Sequence, residues 1–151
     1  MRHSQQKIGH KMEYRKAASP GELEIVFPVM KELRPHLTFL RYVELTQEAA
    51  KRDGYEILAV FDQDKCVGAM GYRILFDFVH GKHLYVDDLV ITESCRSQGL
   101  GAKLLQYAED IAREHRCEVL RLCTGIENQA GKRFYDREGW ALRAVVYKKK
   151  L

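Results

Sequence analysis

The residues with the most chemical potential lie between positions 84 and 101, in the stretch LYVDDLVITESCRSQGLG. An apolar strand pattern runs into a turn holding Arg96, Ser97, Gln98 and Gly99, and the turn runs into an amphipathic helix pattern. The first N–H groups of a helix have no partner inside it, and its aligned peptide dipoles add about half a positive charge there. Gly99 and Gly101 carry no Cβ, so a ligand could approach the backbone closely. Such a turn can hold a phosphate without a lysine, and Arg96 adds a charged donor beside it. Two common phosphate-binding patterns are not met. Gly101 is followed by Ala102-Lys103-Leu104 rather than the G-K-S/T of a Walker A loop, and Leu104 stands where G-x-G-x-x-G needs its third glycine. Upstream, Asp87 and Asp88 are candidate proton acceptors. Strand alternation sends them to opposite faces unless a bulge intervenes. Asp87, flanked by Leu84, Tyr85, Val86 and Leu89, would be desolvated, which raises a carboxyl pKa.

What does fit is R-x-x-G-x-G, from Arg96 to Gly101, followed downstream by Asn128, the aromatic pair Phe134-Tyr135 and then Gly139-Trp140. On these residues the sequence resembles the GNAT superfamily of acetyl-CoA-dependent N-acetyltransferases, whose signature is Q/R-x-x-G-x-G/A between a strand and a helix. The resemblance follows the element order over about residues 12–148 and is motif-specific over about 84–140. Asp87-Asp88 directly before Leu89-Val90-Ile91 is similar to the diamine (spermidine/spermine-type) branch. The resemblance implies roles residue by residue. Leu89, Val90 and Ile91 would pair with the pantetheine amides. Arg96, Ser97, Gln98, Gly99, Leu100, Gly101 and Ala102 would hold the pyrophosphate. Asn128 would contact the pantetheine arm, and Tyr135 would be the general acid. Many members carry Gly and a basic residue where this chain has Ser97 and Gln98, which lowers the local charge.

The implied reaction is direct acetyl transfer from acetyl-CoA to a primary amine of a small molecule, with CoA as product. A protein lysine or N-terminus is the alternative acceptor, and a non-catalytic acyl-CoA-binding module is the alternative class. An ammonium of pKa about 10.4 must lose a proton before it attacks, so a base is needed, direct or through water. The similarity to the diamine branch implies Asp87 as that base, over Asp88 or a water. His36, Phe39, Tyr42, Glu44 and Tyr72 are candidate linings of the acceptor site. Asn128 also suits a helix N-cap, and Cys95 reads as a space-filler. His80 and His83 read as surface or turn residues rather than ligands.

Strand patterns cover residues 12–17, 55–61, 65–76, 82–91, 117–123 and 140–148. Helices are expected from Ser19-Pro20, over about 38–51, over about 99–115, and from Asn128 to near Gly139. The expected fold is α/β (α+β), a single GNAT-like domain. Its mixed, mostly antiparallel sheet of about six or seven strands would have a splayed parallel central pair and about four flanking helices. Residues 1–10 read as a flexible leader and 11–151 as one domain.

Composition is consistent with this. The 151 residues are 46% hydrophobic and 30% charged, which excludes a disordered or fibrous chain. The net charge of +4 is too small and too dispersed for a dedicated nucleic-acid binder. No apolar run approaches the ~20 residues of a membrane span. Cys66, Cys95, Cys117 and Cys123 form no C-x-x-C pair, so neither a zinc site nor any other metal is expected. With no export signal, reduced thiols in a cytoplasm are expected. A C-terminal strand would allow pairing or exchange across a two-fold axis, so a homodimer is permitted.

Overall fold

The computed structural model describes residues 11–151, and the expected leader at 1–10 lies outside them. The chain runs β1 (Glu13–Lys16), α1 (Pro20–Leu33), α2 (Phe39–Asp53), β2 (Glu56–Asp62), β3 (Lys65–Asp77), β4 (Gly81–Ile91), a 3₁₀ turn at Glu93–Cys95, α3 (Leu100–Glu114), β5 (Val119–Leu122) and α4 (Gln129–Arg137). The described strands form one sheet in the order β1-β2-β3-β4-β5. The first four pair antiparallel, and β4 pairs with β5 in parallel through the α3 crossover.

Local chemistry sets the element ends. Ser19 and Glu22 form a reciprocal capping box at the start of α1, with Pro20 at its first turn. Thr38 caps α2, which ends at Gly54. The apolar residues then divide between two layers. Ile57, Ala59 and Phe61 of β2 face α1 and α2, packing with Leu23, Val26, Val29 and Met30. Leu58 and Val60 face α3, where they join Met70, Leu84, Val86, Leu104 and Ala108. A sheet covered on both faces explains the nearly continuous apolar run of β2.

The described residues form five strands, fewer than expected, because residues 140–148 form no strand. Trp140 stays with α4, its N–H bonding the Tyr135 carbonyl at 3.0 Å. Beyond it Leu142, Val145, Val146 and Tyr147 are exposed. The segment has the composition of a strand, but a strand exists only through a paired neighbour. As a result the parallel pair β4–β5 lies at one edge of the sheet rather than at its centre.

One irregularity is placed where the candidate chemistry lies. Gly71 pairs with Asp88 while Tyr72 pairs with Val86, so Asp87 is an extra residue, a bulge in β4. Opposite the bulge, the Tyr55 ring lies directly over Gly71, in the space a Cβ would occupy. Its hydroxyl donates to Asp88 Oδ2 at 2.8 Å. Gly71→Ala is therefore expected to displace Tyr55, break this bond and lower the unfolding free energy by about 1–3 kcal/mol, the usual range for overpacking. Denaturant unfolding measures the loss.

Candidate active site

The bulge changes the geometry expected of the acidic pair. Asp87 and Asp88 do not point to opposite faces, because the inserted residue turns both toward the side carrying α1 and α2. Arg73 of β3 holds Asp87 through two bonds of 2.8 and 2.9 Å, and it also reaches Asp53 at the end of α2 at 3.6 Å. Arg34, at the end of α1, bonds Asp88 Oδ1 through Nε at 3.1 Å and the Asp87 carbonyl through Nη2 at 3.1 Å. Burial pushes the Asp87 carboxyl above its ordinary value, against the lowering effect of Arg73. Burial and the neighbouring Asp88 hold Tyr55 protonated, so it remains a donor. Asp88 lines a cleft of about 260 Å³ with Arg34, His36, Tyr42, Thr46 and Tyr55.

Of the expected acceptor linings, His36 and Tyr42 border this cleft. Glu44 instead pairs with Arg41 at 2.9 Å. Tyr72 packs in the α3 layer and donates to Glu56 at 2.8 Å. Phe39 stacks edge-on to Phe27 at 5.4 Å. A larger groove of about 700 Å³ lies elsewhere, between α1 and the β2–β3 turn, bordered by Pro28, Glu32, Asp64 and Thr92.

The second half of the site begins where β4 loses its neighbour. The β4–β5 ladder covers only His83–Val86 against Val119–Leu122. Among the described residues, Leu89, Val90 and Ile91 thus present an edge with no strand beside it on the β5 side. The chain then turns toward α3. Arg96 donates from Nε to the Ile91 carbonyl at 3.0 Å, which ties the turn to the strand end. Ser97 and Gly99 are both left-handed, with φ of 62° and 79°. The left-handed form costs a non-glycine residue about 1–2 kcal/mol, so Ser97 stores strain here. Gly99 is the N-cap of α3 and supplies no side-chain cap. Among the described residues, no acceptor meets the backbone N–H of Ser97, Gln98, Gly99, Leu100, Gly101 or Ala102; the first bond back is Lys103 N–H to the Gly99 carbonyl. These unpaired donors, with the helix dipole behind them, are chemically suited to an anion.

The end of β4, the start of α3 and α4 converge. A methyl group on Gly101 would sit 3.3 Å from Phe134 Cζ and 3.9 Å from Ile91 Cγ1. Tyr135 follows on α4, its ring edge-on to Phe134 at 5.2 Å and to Trp140 at 6.0 Å. Burial raises its pKa, which keeps its proton in place at neutral pH. Asn128 caps α4, accepting from Gly131 N–H at 3.0 Å and donating to Thr124 at 3.0 Å. Arg34, Tyr55, Gly71 and Arg73 were not legible as site residues. Only Arg73, a charge inside an otherwise apolar strand, left a signal.

Comparison with known proteins agrees with this geometry. Residues 23–140 match the family model described as "Acetyltransferase (GNAT) family". The chain is 30% identical over 124 residues to the uncharacterized N-acetyltransferase YhdJ of Bacillus subtilis (strain 168), covering 82% of this chain and 87% of that protein. It is 24% identical over 146 residues to the thialysine N-epsilon-acetyltransferase of Bos taurus, covering 82% and 86%. Aminoglycoside N-acetyltransferase AAC(6')-Iy, solved in complex with CoA, superposes with a TM-score of 0.82 at 18% identity, over 95% of this chain and 97% of that one; at that identity the likeness shows the fold. No described helix is long and apolar enough to cross a membrane. The sheet, the donor-rich turn and the family match lead to one conclusion: the chain belongs to the GNAT acetyltransferase family and is an N-acetyltransferase.

Proposed function

We propose that this enzyme moves an acetyl group from acetyl-CoA directly to a primary amine of a small molecule. The observation that carries the reading is the continuity between the strandless edge of β4 at Leu89–Val90–Ile91 and the unoccupied amide donors of residues 97–102. An extended pantetheine arm suits the first, since it can form the hydrogen bonds of a missing strand. A diphosphate suits the second. Acetyl-CoA has both in one molecule. CoA bound to the neighbour AAC(6')-Iy supports the same reading.

The acceptor reading rests on the carboxylates. Asp88 lines the cleft and Asp87 lies next to it on the same face of β4, and carboxylates there favour a cationic amine. The name of the thialysine-acetylating relative supports a small amine acceptor. The amine nitrogen attacks the thioester carbonyl carbon, the carbon–sulfur bond breaks, and the sulfur leaves as a thiolate. Asp87 takes the proton from the amine, directly or through water. Its raised pKa makes it a stronger base than an ordinary aspartate. Tyr135 gives its proton to the thiolate and is the general acid. Asn128, already the cap of α4, contributes by fixing that helix beside the cofactor arm. The exposed Leu142, Val145, Val146 and Tyr147, together with the free outer edge of β5, support a homodimer.

The binding half of the reading is tested by melting temperature. CoA at a hundred times its dissociation constant should stabilise the fold by about 2.7 kcal/mol, and an unchanged melting point would overturn it. Tyr135→Phe should lower turnover by about tenfold or more, within the usual range for general acids, and leave CoA binding unchanged. Equal turnover would remove Tyr135 from the mechanism. Asp87→Asn should depress the rate most at about pH 6 and least near pH 10, where free amine is abundant without a base. A pH–rate profile with the wild-type shape would exclude Asp87.

A further inference from the structure

We propose that Asp77, His80 and His83, at the β3–β4 hairpin, form a binding site for a divalent cation of the zinc class. The sequence alone read both histidines as surface or turn residues, and the burial of His83 overturns that for His83. Its side chain is 1% exposed. Asp77 ends β3 and pairs with Gly81 at the start of β4, so the turn between them brings the three side chains together. Donor atoms from all three lie within 4.8 Å of one another.

His83 is set up as a metal ligand would be. Its Nδ1 lies 3.0 Å from the Gly81 carbonyl oxygen. A carbonyl can only accept, so Nδ1 carries a hydrogen, and Nε2 is the ring atom left to offer a lone pair to a metal. That Nε2 is buried and has no hydrogen-bond partner among the described residues. It faces Asp77 Oδ2 at 3.8 Å, beyond hydrogen-bond range. A buried nitrogen lone pair and a carboxylate oxygen confront each other, and an electropositive centre between them satisfies both. Two metal bonds of about 2.1 Å span such a separation at a wide angle. The His80 ring closes the group: its Nδ1 donates to Asp77 Oδ2 at 2.9 Å and gives up that hydrogen when the ring ligates, so binding releases a proton or shifts the tautomer.

Two imidazoles and one carboxylate form a donor set for zinc, cobalt, nickel or copper rather than for magnesium or calcium. A backbone carbonyl fixing the second ring nitrogen is the usual outer support of a ligating histidine. The competing cation is Arg121 of β5, whose Nη1 lies 3.6 Å from Asp77 Oδ2. It also lies against the Tyr85 ring, 5.0 Å from its centroid, and it leaves His83 Nε2 unpartnered. The site lies four residues before Asp87 along β4, about 13 Å at ordinary strand rise, so it stands independently of the proposed acetyl transfer.

The test is calorimetric titration of the full, tag-free chain with Zn²⁺ after chelator treatment, followed by Co²⁺ spectroscopy. One zinc ion should bind per chain. Asp77→Asn and His80→Ala, both at partly exposed positions that leave the core intact, should each weaken binding by at least about tenfold, with unchanged circular dichroism. Arg121→Ala should retain or tighten binding. The Co²⁺ spectrum should lack a thiolate charge-transfer band, which separates this site from the four cysteines. Absence of binding, equal affinity in Asp77→Asn and His80→Ala, or a thiolate band would each overturn the proposal.

Discussion

The separation of β4 from β5 beyond Val86 is the constraint on which the rest of the site depends. Peptide groups along a strand must bond to something, and a long strand beside a short one leaves an edge that another extended chain can complete. Here β4 runs to Ile91 while its parallel neighbour stops at Leu122. The unpaired edge leads directly into a turn whose own N–H groups are also free, because Gly99 caps α3 without a side-chain acceptor. The Arg96 bond to the Ile91 carbonyl joins the two halves into one surface. A strand edge and a helix start are ordinary features; their end-to-end continuity suits one long, partly anionic ligand.

On its other edge β4 carries the bulge, and this has an electrostatic consequence. Two adjacent carboxylates on one face repel each other and lose hydration together. Arg34 and Arg73 counter this from different elements, one at the end of α1 and one in β3. Their compensation is incomplete at Asp87, where desolvation outweighs the guanidinium and the pKa rises. An acid that is paired yet still raised in pKa is held in place while remaining basic enough to accept a proton. The Tyr55 hydroxyl on Asp88 and the bare Gly71 beneath that ring complete the arrangement.

Most of the local elements were legible. The Ser19-Pro20 start and the apolar face of α3 each obey a rule that acts within a few residues of chain. The turn at 96–101 was legible for the same reason, since a glycine N-cap and open helix N–H groups are local facts. The final strand was misread because residues 140–148 have strand composition but no partner, and pairing is a property of two segments. The bulge at Asp87 was open to the sequence only as an exception to alternation. Nothing in the residue types says which edge will slip by one.

The chain by itself determined the order of elements and the chemistry offered at each position, because helix caps, turn glycines and hydrophobic period act over short distances. Tertiary structure alone decided which of those groups meet. Arg34 and Asp88 lie 54 positions apart, and Arg73 reaches across a ladder to Asp87. His83 became a buried, unpartnered nitrogen only when the sheet closed around it. Distance along the chain carries no such information, since a contact between remote residues depends on how whole elements pack.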